Sequence, residues 1–123
     1  MARHNNLGAW GENLACEYLV SKGYAIVSRN WHTGNIEVDI IAMHDNNIIF
    51  IEVKTRSEHD SRPEEAVDRH RQQRLIRAAD NYINQYNIPH SVQFDVIAIS
   101  GNEHDYNIVH FEDAFYPRLR RHR

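Results

Sequence analysis

Apolar residues recur at two different periods along this 123-residue chain, and each change of period marks an element. From about Ala9 to Lys22 the spacing is helical. Tyr18, Ala15, Leu19, Cys16 and Ala9 form one arc, Asn13, Glu17 and Ser21 lie opposite, and Gly23 supplies the C-terminal stop. Tyr24 to Asn30 predicts a short strand, followed by a polar turn through Thr33-Gly34. Two runs, Ile36 to Ala42 and Ile48 to Lys54, alternate around the polar loop His44-Asp45-Asn46-Asn47 and predict a β-hairpin. Ser61-Arg62-Pro63-Glu64 reads as a helix start: serine cap, proline in the first turn, glutamate three residues after the cap. That helix runs to about Tyr86, before Pro89, with the stripe Val67, Leu75, Ala78, Ala79, Tyr82, Ile83 and Tyr86. Ser91 to Ser100 is apolar on both faces, as a central strand is, and Tyr106 to Phe111 predicts an edge strand. A right-handed crossover through the second helix would lay the strand from Ser91 parallel to Ile48–Lys54. The order is α-β-β-β-α-β-β: a single α/β domain over residues 1–123, a mixed central sheet flanked by helices, with a basic tail from about 117 to 123.

Register brings charge into the picture. If Met43 pairs with Ile48, counting back sets Ile41 opposite Phe50, Asp39 opposite Glu52 and Glu37 opposite Lys54, all on one face. The other face, Ile36, Val38, Ile40, Ala42, Ile49, Ile51 and Val53, is the expected core. Opposed like charges destabilise a sheet; at about 4 Å they repel by roughly 4 kcal/mol at an effective dielectric of 20. The Lys54 ammonium, diagonal to Asp39, offsets this, and so would a divalent cation held between the oxygens. The plainer reading is a solvated strand end with a weak Glu37–Lys54 ion pair. Glu12 falls inside the apolar arc of the first helix, so it needs a cationic partner at the core rim or belongs to the hairpin acids as a third carboxylate. Arg71 falls on the stripe of the second helix, whereas Arg69 and Arg77 point away. It either snorkels out or meets an anion, the acidic face or a substrate phosphate.

Composition narrows the classes. With 41% hydrophobic and 25% charged residues the chain can bury a real core. No run of 18 apolar residues exists, the start Met-Ala-Arg-His-Asn-Asn lacks a secretory pattern, and Cys16 is the sole cysteine. A cytoplasmic protein without disulfides or thiolate metal clusters and without a membrane partner is expected. Net charge of −3 argues against purely electrostatic nucleic-acid binding. The arginines are nevertheless clustered, at 69, 71, 74 and 77 and again at 118, 120, 121 and 123. The nine histidines lack ligand spacing and take no role. Tyr82, Tyr86, Phe115 and Tyr116 suit core packing, with a homodimer interface as the other use.

An inward helix glutamate, an aspartate on one strand and Glu-x-Lys on its partner resemble the active-site pattern of the PD-(D/E)XK nucleases, especially small Holliday-junction resolvases. Nearly the whole chain resembles the YraN-like family of small bacterial proteins assigned to that superfamily. The residues that carry the likeness are Gly11-Glu12 with Ala15, Tyr18-Leu19, Gly23-Tyr24, Arg29-Asn30, Glu37 to Ala42, Ile51 to Arg56, Ala66-Val67 and Phe94-Asp95-Val96. The resemblance implies a restriction-endonuclease-like fold and a Mg²⁺- or Mn²⁺-dependent DNA endonuclease, on branched or damaged DNA. It implies catalytic roles for Glu12, Asp39, Glu52 and Lys54. Asp39, Glu52, the Val53 carbonyl and Glu12 would take part in metal binding, and Arg56, Arg71 and Arg74 would meet nucleic-acid phosphates. Three positions depart from the family pattern: Ile36 in place of glycine, Arg71 in place of lysine, and Gln93 in place of an arginine expected to pair near Asp95. The rival expectations are a non-catalytic nucleic-acid or protein-binding module on an inherited scaffold, and a purely structural ion-pair network.

Overall fold

The structure is a computed structural model that describes residues 6–57 and 68–117. Its elements are α1 (Asn6–Ser21), β1 (Ala25–Thr33), β2 (Ile36–His44), β3 (Asn47–Arg56), α2 (Arg69–Tyr86), β4 (Ser91–Asn102) and β5 (Asp105–Phe111). They form one five-stranded sheet in the order β1-β2-β3-β4-β5. Every neighbouring pair is antiparallel except β3 and β4, which α2 connects in parallel. The expected α/β domain and element order are those observed.

Local chemistry explains the ends. Gly23, at φ 93°, closes α1: the Gly23 N–H donates to Val20 O and the Tyr24 N–H to Leu19 O, both at 3.0 Å. This is a Schellman stop, sealed by Tyr24 and Leu19 packing in one cluster. Asp45 and Asn46, at φ 51° and 67°, make the tight two-residue turn that a right-twisted hairpin prefers, shorter than the four-residue loop expected. Asp68 is extended and caps α2 by accepting the Arg71 N–H at 2.8 Å. α2 therefore starts at Arg69 and not at the expected Ser61–Glu64, because the extended Asp68 caps it. Residues 61–64 themselves, and Val67 of the stripe, lie outside the described residues, as does the basic tail from Arg118.

α1 covers one sheet face and α2 the other. Ala15 and Leu19 pack with Ile40, Ala42, Ile49, Ile51 and Ile97. Leu75, Ala78, Ala79 and Tyr82 pack with Ile41, Ile48, Phe50, Phe94 and Phe115. Both faces of the hairpin are therefore core near the turn, where one had been expected. Tyr82 and Phe115 belong to this interior, whereas Tyr86 and Tyr116 are exposed. No described helix is long and apolar enough to cross a membrane.

Gly11 lets α1 approach β3 closely, because a Cβ there would overlap the Thr55 hydroxyl and lie 2.9 Å from its methyl. Gly11→Ala should therefore push α1 off the strand and move Glu12, the next residue. Thermal melting should report a loss of at least 1 kcal/mol, the usual minimum for overpacking. Thr55→Ser alongside should recover part of it, and an unchanged melting temperature would contradict the contact.

Candidate metal centre

A break in strand alternation builds the site. Ile36 and Val38 pack with Ile41 against α2, yet Ile40 and Ala42 pack against α1, so alternation reverses around Asp39. The same reversal runs through β1. Arg29 reaches Asn13 and Glu12 on α1, while Trp31 stacks edge-on against Tyr82 of α2, and Asn30 between them has φ 53°. Position 30 falls opposite 39 in the register, between the pairs Arg29–Ile40 and Trp31–Val38. The β2–β3 ladder ends at Ile40–Ile51. Beyond it the Asp39 carboxylate accepts the Val53 N–H at 2.8 Å. The direct pairs expected between Asp39 and Glu52 and between Glu37 and Lys54 are thus absent. Simple counting cannot survive a reversal of alternation, which turns the following side chains to the other face.

The consequence is a different grouping of acids. Single carboxylate oxygens of Glu12, Glu37 and Asp39 lie within 4.8 Å of one another, all three residues half-buried. The Asn30 amide donates to both Glu12 oxygens at 3.2 Å and to Glu37 Oε2 at 2.7 Å. Arg29 stands 3.6 Å from Glu12, and His32 stands 3.6 Å from Glu37. Glu37 was expected to face Lys54; it faces Asn30 and His32 instead. The chemistry of this donor set, hard carboxylate oxygens converging on a common centre, fits a hard divalent cation.

Glu52, only 6% exposed, lies against Arg71. Arg71 donates from Nε at 3.3 Å and from Nη2 at 2.8 Å to its two oxygens, and Nη2 also reaches the Glu37 carbonyl at 2.7 Å. An arginine on an apolar helix stripe therefore meets the acidic face, one of its two expected anions. Lys54 is half-buried two residues further along β3, and Arg56 is exposed at the end of that strand. Arg74 donates to the Asn35 carbonyl at 3.0 Å.

Burial pushes the Asp39 pKa up to about 7, helped by the charges of Glu52 and Glu12 and opposed by the Val53 N–H and Arg71. The folded state then holds this proton more tightly than the unfolded chain, whose aspartate keeps the ordinary value of 3.8. The contribution to stability is full below about 3.8 and is lost as pH rises through about 7. Metal-free Asp39→Asn should therefore melt above wild type at pH 8, with the gap closing towards pH 4. A gap independent of pH in EDTA-treated protein would refute the shift.

A second buried carboxylate lies elsewhere. Asp95 is 0% exposed and accepts His110 Nε2 at 2.7 Å, Gln93 Nε2 at 2.9 Å and the Asp113 N–H at 2.9 Å. His110 Nδ1 lies 3.1 Å from the Tyr18 hydroxyl. Gln93 thus supplies a neutral hydrogen bond where the family pattern led to an expected charge pair. His110, given no role from its sequence context, is the long-range partner; fifteen residues separate it from Asp95, and only strand pairing joins them.

Residues 11–99 match the family model described as uncharacterised protein family UPF0102. A UPF0102 protein of Bacteroides thetaiotaomicron is 46% identical over 120 residues, covering 97% of this chain and 99% of the relative. One from Parabacteroides distasonis is 44% identical over 121 residues, covering 98% and 100%. Among solved structures, Pyrococcus furiosus SfsA in complex with Ca²⁺ aligns with 82% of this chain and 62% of its own, at 14% identity and a TM-score of 0.40. With a family model spanning most of the chain and relatives matching it almost end to end, the protein belongs to the UPF0102 family.

Proposed function

We propose that this protein is a metal-dependent DNA endonuclease that hydrolyses phosphodiester bonds, with Mg²⁺ or Mn²⁺ as its ion. The observation that carries the reading is the convergence of three carboxylates from α1 and β2 beside buried Glu52. Glu12 and Asp39, with Glu37 added from the geometry, would hold the ion; Glu52 and the Val53 carbonyl complete the set inferred from sequence. When bound, the ion supplies a Lewis acid for the scissile phosphate and lowers the pKa of water. Lys54 orients the attacking water and favours its deprotonated form by charge. Arg71, Arg74 and Arg56 meet flanking phosphates, Arg71 by turning from Glu52 to the substrate.

The Glu52–Arg71 pair favours one rival, because a carboxylate already neutralised on both oxygens has less need of a cation. On that reading the chain is a non-catalytic nucleic-acid or protein-binding module. A Mn²⁺-dependent cleavage screen over linear, nicked, flapped and four-way DNA separates the two. Nuclease function requires cleavage of at least one form, stopped by EDTA. Salt-sensitive binding without metal dependence or cleavage supports the module.

A further inference from the structure

We infer that Asn30 is a positioning residue of the acidic cluster, its side-chain amide holding the Glu12 and Glu37 carboxylates in the arrangement that receives a divalent cation. The inference rests on the metal-binding reading above and extends it to a residue outside the carboxylate set. Three β1 side chains contact the two glutamates: Arg29 reaches Glu12, His32 reaches Glu37, and among the described residues Asn30 alone donates to both. Without a shared donor, two flexible like-charged side chains would swing apart into water. One amide group bonded to both keeps their oxygens near those of Asp39.

The position admits few other residues. At φ 53° the backbone is left-handed, which glycine, asparagine and aspartate tolerate best. Glycine would keep the turn and lose the donor. Aspartate would keep the turn and add a fourth negative charge to the cluster. A lysine or arginine would oppose the backbone and neutralise the acids, leaving less for a cation to bind. Asparagine alone among these combines the conformation with a neutral donor. Its backbone also sets the aim, because the same residue carries the reversal of alternation that turns Asp39 towards Glu12.

Full-length Asn30→Gly and Asn30→Asp test the assignment by Mn²⁺ titration calorimetry and by thermal melting in EDTA, both at pH 8. Asn30→Gly should fold, since glycine accepts the backbone, and bind Mn²⁺ roughly tenfold more weakly, the lower end of the usual effect of losing a residue that orients a ligand. Asn30→Asp should melt below Asn30→Gly in EDTA and gain more from added Mn²⁺ than wild type does. Wild-type Mn²⁺ affinity in Asn30→Gly would overturn the positioning role. A wild-type protein that takes no Mn²⁺ would overturn the metal reading instead. The EDTA melts would then still decide the clamp, which fails if Asn30→Asp and Asn30→Gly melt together.

Discussion

Lys54→Ala is expected to lose Mn²⁺-dependent DNA cleavage by roughly a thousandfold, within the range for removing a positioned acid–base or electrostatic group. Its Mn²⁺ affinity should stay close to wild type, because the carboxylates within 4.8 Å of one another are those of Glu12, Glu37 and Asp39. Asp39→Ala should lose both cleavage and Mn²⁺ binding. Asp39 lies among the acids and anchors the open end of the hairpin through the Val53 N–H, so the ligand and its scaffold go together. The comparison needs both readouts on each protein, calorimetry for the ion and single-turnover cleavage for the chemistry. Equal cleavage by wild type and Lys54→Ala would remove the catalytic role. Loss of Mn²⁺ binding in Lys54→Ala would instead mark the lysine as part of the scaffold.

The largest loss of stability is expected at His110. Its Nε2 is 2.7 Å from Asp95, a carboxylate with no exposure to water. Breaking a buried pair from one side commonly costs about 3–5 kcal/mol, because the remaining group keeps its desolvation penalty. His110→Ala should fall in that range by urea denaturation. Tyr18→Phe, which removes only the hydroxyl next to Nδ1, should cost about 1 kcal/mol. The pair joins β4 to β5 and, through Tyr18, to α1, so its loss loosens both. A cost under 1 kcal/mol for His110→Ala would mean that water or Gln93 satisfies Asp95 without help.

Periodicity and local chemistry were enough for the type and order of the elements, though not for the start of α2, which Asp68 caps in place of Ser61. Gly23 after a helical arc, an acidic-amide turn between alternating runs, and a strand apolar on both faces each act within a few residues, and each appears where expected. The pairing Met43–Ile48 followed from the same local logic, and it holds as far as Ile40–Ile51. Membership of Glu12 and Asp39 in one acidic group was legible too, since Glu12 stood out as a charge on an apolar arc. For the same reason Arg71 stood out as a residue that must snorkel out or meet an anion, and the structure decides between the two with Glu52.

What lies past Ile40 could not be counted from the chain. A left-handed Asn30 on one strand accompanies a reversal of faces on its neighbour, and the cost or gain of that reversal depends on contacts made by α1, α2 and β3 together. It moved Glu37 into the acidic cluster and removed the direct pairing of Asp39 with Glu52. Arg71 then became the partner of Glu52. The Asp95–His110 pair has the same origin. Strand pairing of β4 with β5 brings the two together, and burial makes the bond count, because a carboxylate cut off from water must find its donors within the protein.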